Sequence, residues 1–146
     1  MTRNILTIII LVILTNIIRA EINENELVAA VIIAEAGGEG PKGMQAVASV
    51  IQNRARRGPS PYDVVVKRKQ FSCLNNFRPD SYQKFISHAK RHPNWRQALI
   101  LAKKVANKTV IDNTNGATHY CANQAYWEKE MCFTIQIKHH KFYRKR

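Results

Sequence analysis

The feature that most constrains this sequence is an apolar, helix-forming stretch with one acidic side chain near its end. Apolar residues recur there at helical spacing, at Leu27, Ala30, Val31 and Ala34. Asn25 is a suitable N-cap, and the pair Gly37-Gly38 favours the end of a helix. The pattern predicts a helix from Glu26 to about Ala36, with Glu35 in an otherwise apolar last turn.

Three further helices are predicted in the chain that follows. Pro41 suits the first turn of a helix, Gly58-Pro59-Ser60-Pro61 is a clear break, and Asn94 can cap a later helix. The predicted ranges are Pro41 to about Arg56, Tyr62 to Lys67, and Trp95 to about Asn107.

After these helices the pattern becomes that of extended chain. Residues 112–116, with the sequence Asp-Asn-Thr-Asn-Gly, are typical of a turn. Ala117 to Cys121 and Cys132 to Ile137 are β-branched or aromatic runs that alternate as strands do. The sequence contains no internal repeat and no low-complexity linker. It therefore predicts a single α+β domain that is mostly helical, with a small antiparallel β-sheet near the C-terminus.

Residues 1–20 have the composition of an export signal. Arg3 gives a basic start, and Ile5 to Leu14 is almost wholly apolar. The apolar run is shorter than the ~20 residues of a spanning helix, and Asn16 interrupts it. We expect a cleaved signal peptide, with a retained N-terminal anchor as the alternative. Residues 21–146 would then form the exported domain.

The charge of the chain narrows the choice of partners. Its net charge is +13, from 23 Lys and Arg against 10 Asp and Glu. Such a balance favours an anionic partner, which is nucleic acid, a membrane surface or an acidic polymer. Export argues against nucleic acid and favours anionic cell-wall polymers, with membrane contact only through an uncleaved N-terminal segment. We expect a monomer that needs neither a metal nor a cofactor.

The chain has three cysteines, an odd number for a protein bound for an oxidising compartment. Their spacing matches no zinc motif. A disulfide between Cys121 and Cys132 would leave Cys73 as an unpaired, buried and inert thiol. Three buried, reduced cysteines are the alternative.

Glu35 is the first candidate for chemistry. Desolvation by apolar neighbours and the negative end of a helix dipole both favour the protonated form of a carboxyl group. A protonated carboxyl group is the proton donor that a glycosidic oxygen needs. The alternative is an ordinary solvated glutamate beside a helix end.

Two other segments also carry candidate residues. In a strand, Thr118 and Tyr120 share one face and His119 lies on the other, and Trp127 could stack on a sugar. The alternative is a half-buried aromatic strand. A Cys–His hydrolase built on Cys73 is a third possibility, although no sequence feature brings a histidine beside it.

Together these segments resemble the SleB/CwlJ-type cell-wall hydrolase family. The motifs occur in the family's order over about residues 27 to 143. They are Ala34 to Glu39, Gln45 to Arg54, Gln70 to Cys73, Trp95 with Ala98 and Ala102, Gly116 to Tyr120, Trp127, and His140 to Tyr143.

The resemblance implies a fold like that of lysozyme-type lytic transglycosylases and a peptidoglycan substrate. It also implies that Glu35 is the catalytic acid and that Glu39 supports a loop or contacts substrate. The expected substrate-binding residues are Glu39, Phe71, Ser72, Thr118, Tyr120 and Trp127.

The reaction implied is cleavage of the MurNAc–GlcNAc β-1,4 bond. A lytic transglycosylase needs one essential carboxylate, whereas a hydrolytic muramidase normally needs two. Since no second acid lies in a clear partner motif, we favour the transglycosylase over the muramidase. A non-enzymatic, basic wall-binding protein is the alternative from another class.

Export is tested directly with a reporter. We expect a fusion of residues 1–25 to alkaline phosphatase, which is active only outside the cytoplasm, to be active in cells. An inactive, cytoplasmic fusion would exclude the export signal.

Overall fold

Helix α1, Glu24–Ala36, is the centre of the fold. The structure, a computed structural model, describes residues 22–146. Residues Leu27 to Ile32 are at most 1% exposed, on all sides of the helix. A helix that is apolar all round must be covered all round. Accordingly, α1 packs against each of the other α-helices that the structure describes.

The elements follow the predicted order. The other α-helices are α2 Gly40–Ala55, α3 Pro61–Val66, α4 Tyr82–Ala89 and α5 Trp95–Ala106. The strands are β1 His119–Cys121, β2 Met131–Ile137 and β3 His140–Lys145. Short 3-10 turns lie at Gly37–Glu39, Ser72–Leu74, Pro79–Ser81 and Glu128–Glu130. The predicted α+β class, with a small antiparallel sheet near the C-terminus, is confirmed.

The predicted helix caps were less accurate than the helices. The N-cap of α1 is Asn23, not Asn25, because the Asn23 side chain accepts the backbone N–H of Glu26 at 3.2 Å. Asn94 precedes α5 as expected, but its side chain does not cap the helix. Its amide instead donates to the carbonyl of Gly37 at 3.1 Å, which ties α5 to the end of α1.

Two elements were missed in the sequence. Helix α4 buries Tyr82, Phe85, Ile86 and Ala89 on one face, at helical spacing. Strand β3 is the middle strand of the sheet, which has the order β1-β3-β2 with both pairs antiparallel. Its Phe142 is fully buried against α2.

A row of polar side chains on α2 holds residues 110–118, which lead into β1. The Gln52 amide donates to the carbonyl of Val110 at 3.0 Å and accepts the Val110 N–H at 2.9 Å. Farther along the helix, Asn53 donates to the Ala117 carbonyl at 3.0 Å. Because buried backbone groups need partners, these bonds fix where β1 begins.

Of the two alternatives for the cysteines, the disulfide between Cys121 and Cys132 is wrong. Strand β3 lies between β1 and β2, and its Lys141 and Arg144 pair with Cys121 and Cys132 respectively. Adjacent strands are about 4.8 Å apart, so two intervals already exceed the ~7 Å Cα separation that a disulfide tolerates. All three cysteines are free thiols.

The predicted signal segment, residues 1–20, lies outside the described residues. Between residues 22 and 146, no helix is long and apolar enough to cross a membrane.

Gly43 tests the packing between α2 and the turn before it. A Cβ at this buried glycine would collide with the Cβ of Glu39. Although alanine is the better helix former, we expect Gly43→Ala to lower the free energy of unfolding by about 1–3 kcal/mol through overpacking. Urea unfolding followed by circular dichroism measures the change.

Gly38→Ala is the matched control, because a Cβ at Gly38 meets nothing within 4 Å. We expect it to change stability little. A Gly43→Ala protein as stable as wild type would contradict the proposed collision.

Candidate active site

A cleft of about 360 Å³ opens where α1 ends. Its walls come from the ends of α1 and α2, the loop before and within Ser72–Leu74, strand β1, and the loop that follows β1. We call it the Glu35 cleft. Its lining residues are Glu35, Arg54, Lys69, Gln70, Ser72, Asn75, His119, Tyr120, Tyr126 and Trp127.

Glu35 is the one polar side chain between Leu27 and Ala36, and it is half-buried at the cleft. The Tyr120 hydroxyl donates to Glu35 Oε2 at 2.7 Å. Burial and the neighbouring Glu35 carboxylate raise the pKa of Tyr120 well above its ordinary value. The phenol therefore remains protonated and acts as a fixed donor to Glu35.

The ring of Tyr120 is itself held by its neighbours. It lies 5.1 Å from the His140 ring and 5.5 Å from the Phe142 ring, measured between centroids. Since both neighbours belong to β3, the sheet sets the direction of the hydroxyl and with it the position of the carboxyl group.

The Cys73 thiol lies beside Glu35. Burial, followed by the charge of Glu35 next to it, raises the pKa of the Cys73 thiol. Thiolate, not thiol, is the nucleophile in cysteine hydrolases. This environment argues against the Cys–His hydrolase and fits the expected inert thiol.

Arg54 forms one wall of the cleft and is held from two sides. Its Nε donates to the Thr118 carbonyl at 2.6 Å, and its guanidinium lies 5.2 Å from the centroid of the Phe71 ring. Its Nη1 is buried without a hydrogen-bond partner. Its charge acts on both Glu35 and Tyr120. The guanidinium thus adds a fixed positive charge beside the carboxyl group.

The structure brings some of the predicted substrate-binding residues to the cleft and leaves others behind it. Ser72, Tyr120 and Trp127 line it. Phe71 is 2% exposed, and its ring packs against the Arg54 guanidinium. Thr118 is 5% exposed, and its hydroxyl hydrogen-bonds to His119 Nδ1 at 2.9 Å.

Glu39, also predicted to bind substrate, is engaged elsewhere. Its carboxylate accepts the backbone N–H of His139 at 3.1 Å and contacts His139 Nδ1 at 2.9 Å. These hydrogen bonds to His139 lower the pKa of Glu39. Glu39 therefore ties the start of α2 to the turn between β2 and β3, which corresponds to the loop support expected of it.

The loop of residues 122–130 brings two aromatic side chains to the cleft. Glu128 holds this loop, since its carboxylate accepts the Ala125 N–H at 2.6 Å and the Tyr143 hydroxyl at 3.0 Å. Trp127 lies 5.3 Å from the Tyr143 ring, and Tyr126 is 96% exposed beside it. Sequence reasoning missed Tyr126, because the loop has no periodicity that gives side-chain directions.

His119 was expected to point away from Thr118 and Tyr120, yet it also lines the cleft. Its ring contacts that of Trp127 at a centroid distance of 5.4 Å. In residues 22–146, no three His, Cys, Asp or Glu side chains are grouped so as to hold a metal ion.

His119 should make stability depend on pH. Burial, followed by the positive charges of Arg54, Lys145 and Arg57, lowers its pKa from 6.5 to about 4. Between pH 6.5 and about 4, His119 is protonated in the unfolded chain but not in the folded chain. The free energy of unfolding therefore falls as the pH drops through this range. We expect His119→Gln to lose less stability than wild type between pH 7 and pH 5, measured by urea unfolding. If both proteins lost the same free energy of unfolding over this pH range, the lowered pKa of His119 would be contradicted.

The chain matches one known protein family over most of its length. The family model described as Cell Wall Hydrolase matches residues 38–143. No curated protein and no solved structure matched the chain, so the implied likeness to lysozyme-type enzymes stays a prediction. Glu39, Tyr120 and Trp127 lie within the matched range, and Glu35 lies just before it. The chain therefore belongs to the cell wall hydrolases of the SleB/CwlJ type.

Proposed function

We propose that the protein is an exported peptidoglycan lytic transglycosylase in which Glu35 is both general acid and general base. Membership of the family supports peptidoglycan cleavage in general. The type of reaction and the catalytic residue are our proposal. One observation carries it: Glu35 is the only carboxylate among the described residues that line the Glu35 cleft.

The reaction divides into two proton transfers by one group. Protonated Glu35 donates its proton to the glycosidic oxygen, and the bond between that oxygen and C1 of the muramoyl residue breaks. Glu35, now a carboxylate, removes the proton from the 6-hydroxyl of the same residue. That oxygen then bonds to C1 and closes a 1,6-anhydro ring. The carboxyl group ends protonated, ready for the next bond.

The neighbours of Glu35 suit this role. Tyr120 holds one carboxylate oxygen at 2.7 Å, so the group keeps one position in both steps. Ser72 and Asn75 give the cleft exposed polar groups for sugar hydroxyl and acetamido groups. Trp127 and the exposed ring of Tyr126 provide apolar faces on which sugar rings can stack.

A hydrolytic muramidase is the competing reaction. It normally needs a second carboxylate across the bond, to act as nucleophile or to activate water. A second cavity shares Arg54, Gln70 and His119 with the Glu35 cleft. Its carboxylate is Asp63, which is engaged in a capping box. There Asp63 accepts the Ser60 hydroxyl at 2.7 Å. This engagement favours the transglycosylase, which needs no second acid.

Glu35→Gln tests the catalytic residue. The amide keeps the shape of the side chain and can still accept from Tyr120, but it neither donates nor removes a proton as an acid. We expect the rate of glycan release from purified sacculi to fall by roughly 10³-fold or more, at the level of an essential proton-transfer group. Circular dichroism should show an unchanged fold, because no buried charge is stranded.

Glu39→Gln is the matched control, since Glu39 is a nearby acid that bonds to His139 and does not line the cleft. We expect Glu39→Gln to lower the rate of glycan release by less than tenfold. Mass spectrometry of the wild-type products decides the reaction: 1,6-anhydromuramoyl ends for a transglycosylase, reducing ends for a muramidase. A folded Glu35→Gln protein within tenfold of wild type would refute the assignment.

A further inference from the structure

A second cavity continues the Glu35 cleft on one side. It has a volume of about 510 Å³ and shares Arg54, Gln70 and His119 with the cleft. The two cavities therefore form one groove, with these three residues at their junction. The second cavity is also lined by the cationic side chains of Arg57, Lys67 and Lys145, and we call it the basic arm.

The basic arm carries a net positive charge. Its described lining residues include Arg54, Arg57, Lys67 and Lys145, and Asp63 is the one acidic side chain among them. Arg57 and Lys145 both contribute to the lowered pKa of His119, so their charge reaches the junction. A groove lined by one sign of charge concentrates ligands of the opposite sign.

Arg54 connects the basic arm to the reacting end of the groove. Its Nε is committed to the Thr118 carbonyl, whereas its Nη1 is buried without a partner. The guanidinium is thus fixed in place with donor capacity that no described protein group uses.

We propose that the basic arm binds a carboxylate of the stem peptide on the muramoyl residue next to the scissile bond. This inference rests on the proposed function, which puts the glycan in the Glu35 cleft. The glycan's sugar rings are uncharged, whereas the peptide attached beside the cleaved bond carries carboxylates. Guanidinium and ammonium groups are the protein groups that bind carboxylates most strongly. The enzyme would therefore prefer strands whose peptides keep their carboxylates uncapped.

The test compares two forms of one substrate. Glycan strands freed of phosphate polymers are used with their stem peptides intact, and again after a carbodiimide and excess ammonium have converted the peptide carboxylates to amides. We expect the wild-type kcat/KM to be about tenfold higher on the strands with free carboxylates, at the low end of the gain from a charged groove. The double variant Arg57→Gln/Lys145→Gln should bring this ratio down toward one.

Arg96→Gln/Lys103→Gln is the matched control. It removes the same charge from exposed positions of α5 that line neither the cleft nor the basic arm. We expect it to leave the ratio at the wild-type value, and circular dichroism checks that both variants fold. If wild type cleaves both substrates equally well, or if the two double variants lower the ratio alike, the basic arm does not bind the peptide. If wild type cleaves neither, the proposed function fails and the inference fails with it.

Discussion

The burial of α1 is the interaction on which the rest of the structure depends. An apolar helix in the middle of a small domain needs cover on every side, and α2, α3, α4 and α5 supply it. Within its apolar part, only the last turn reaches solvent with a polar side chain, and that side chain is Glu35. Because α1 is buried along most of its length, the carboxyl group of Glu35 lies at the surface of the core in a partly desolvated position. Core and candidate site share a single helix.

Much of the fold could be predicted because its elements have strong local patterns. Helical spacing located α1, α2 and α5 to within about two residues, since an apolar face recurs at 3.6 residues whatever the helix packs against. Glu35 became a candidate as the exception in that apolar pattern, but its role as catalytic acid came from the resemblance to the family and stays a prediction. Helix α4 has the same kind of pattern and was available to the same reasoning.

What the sequence did not provide depends on contacts between distant residues. Gln52 looks like an ordinary polar helix residue, yet it is fully buried because it bonds to Val110. No local pattern pairs Glu39 with His139 or puts β3 between β1 and β2. The order of the strands alone excludes the disulfide expected from Cys121 and Cys132. Side chains in the irregular loop after β1, such as Tyr126, have directions that only the folded loop defines.

The hydrogen bond between Glu35 and Tyr120 joins residues that are 85 positions apart, and that between Glu39 and His139 spans 100. Such separations set an order of events in folding, because distant contacts form only after the chain between them has been enclosed. Helices α1 and α2 are neighbours in the sequence, whereas the cleft also requires the sheet. A chain in which only α1 and α2 have formed thus has Glu35 in place but lacks Tyr120, which β1 supplies. The cleft is complete only when the sheet has joined the helices.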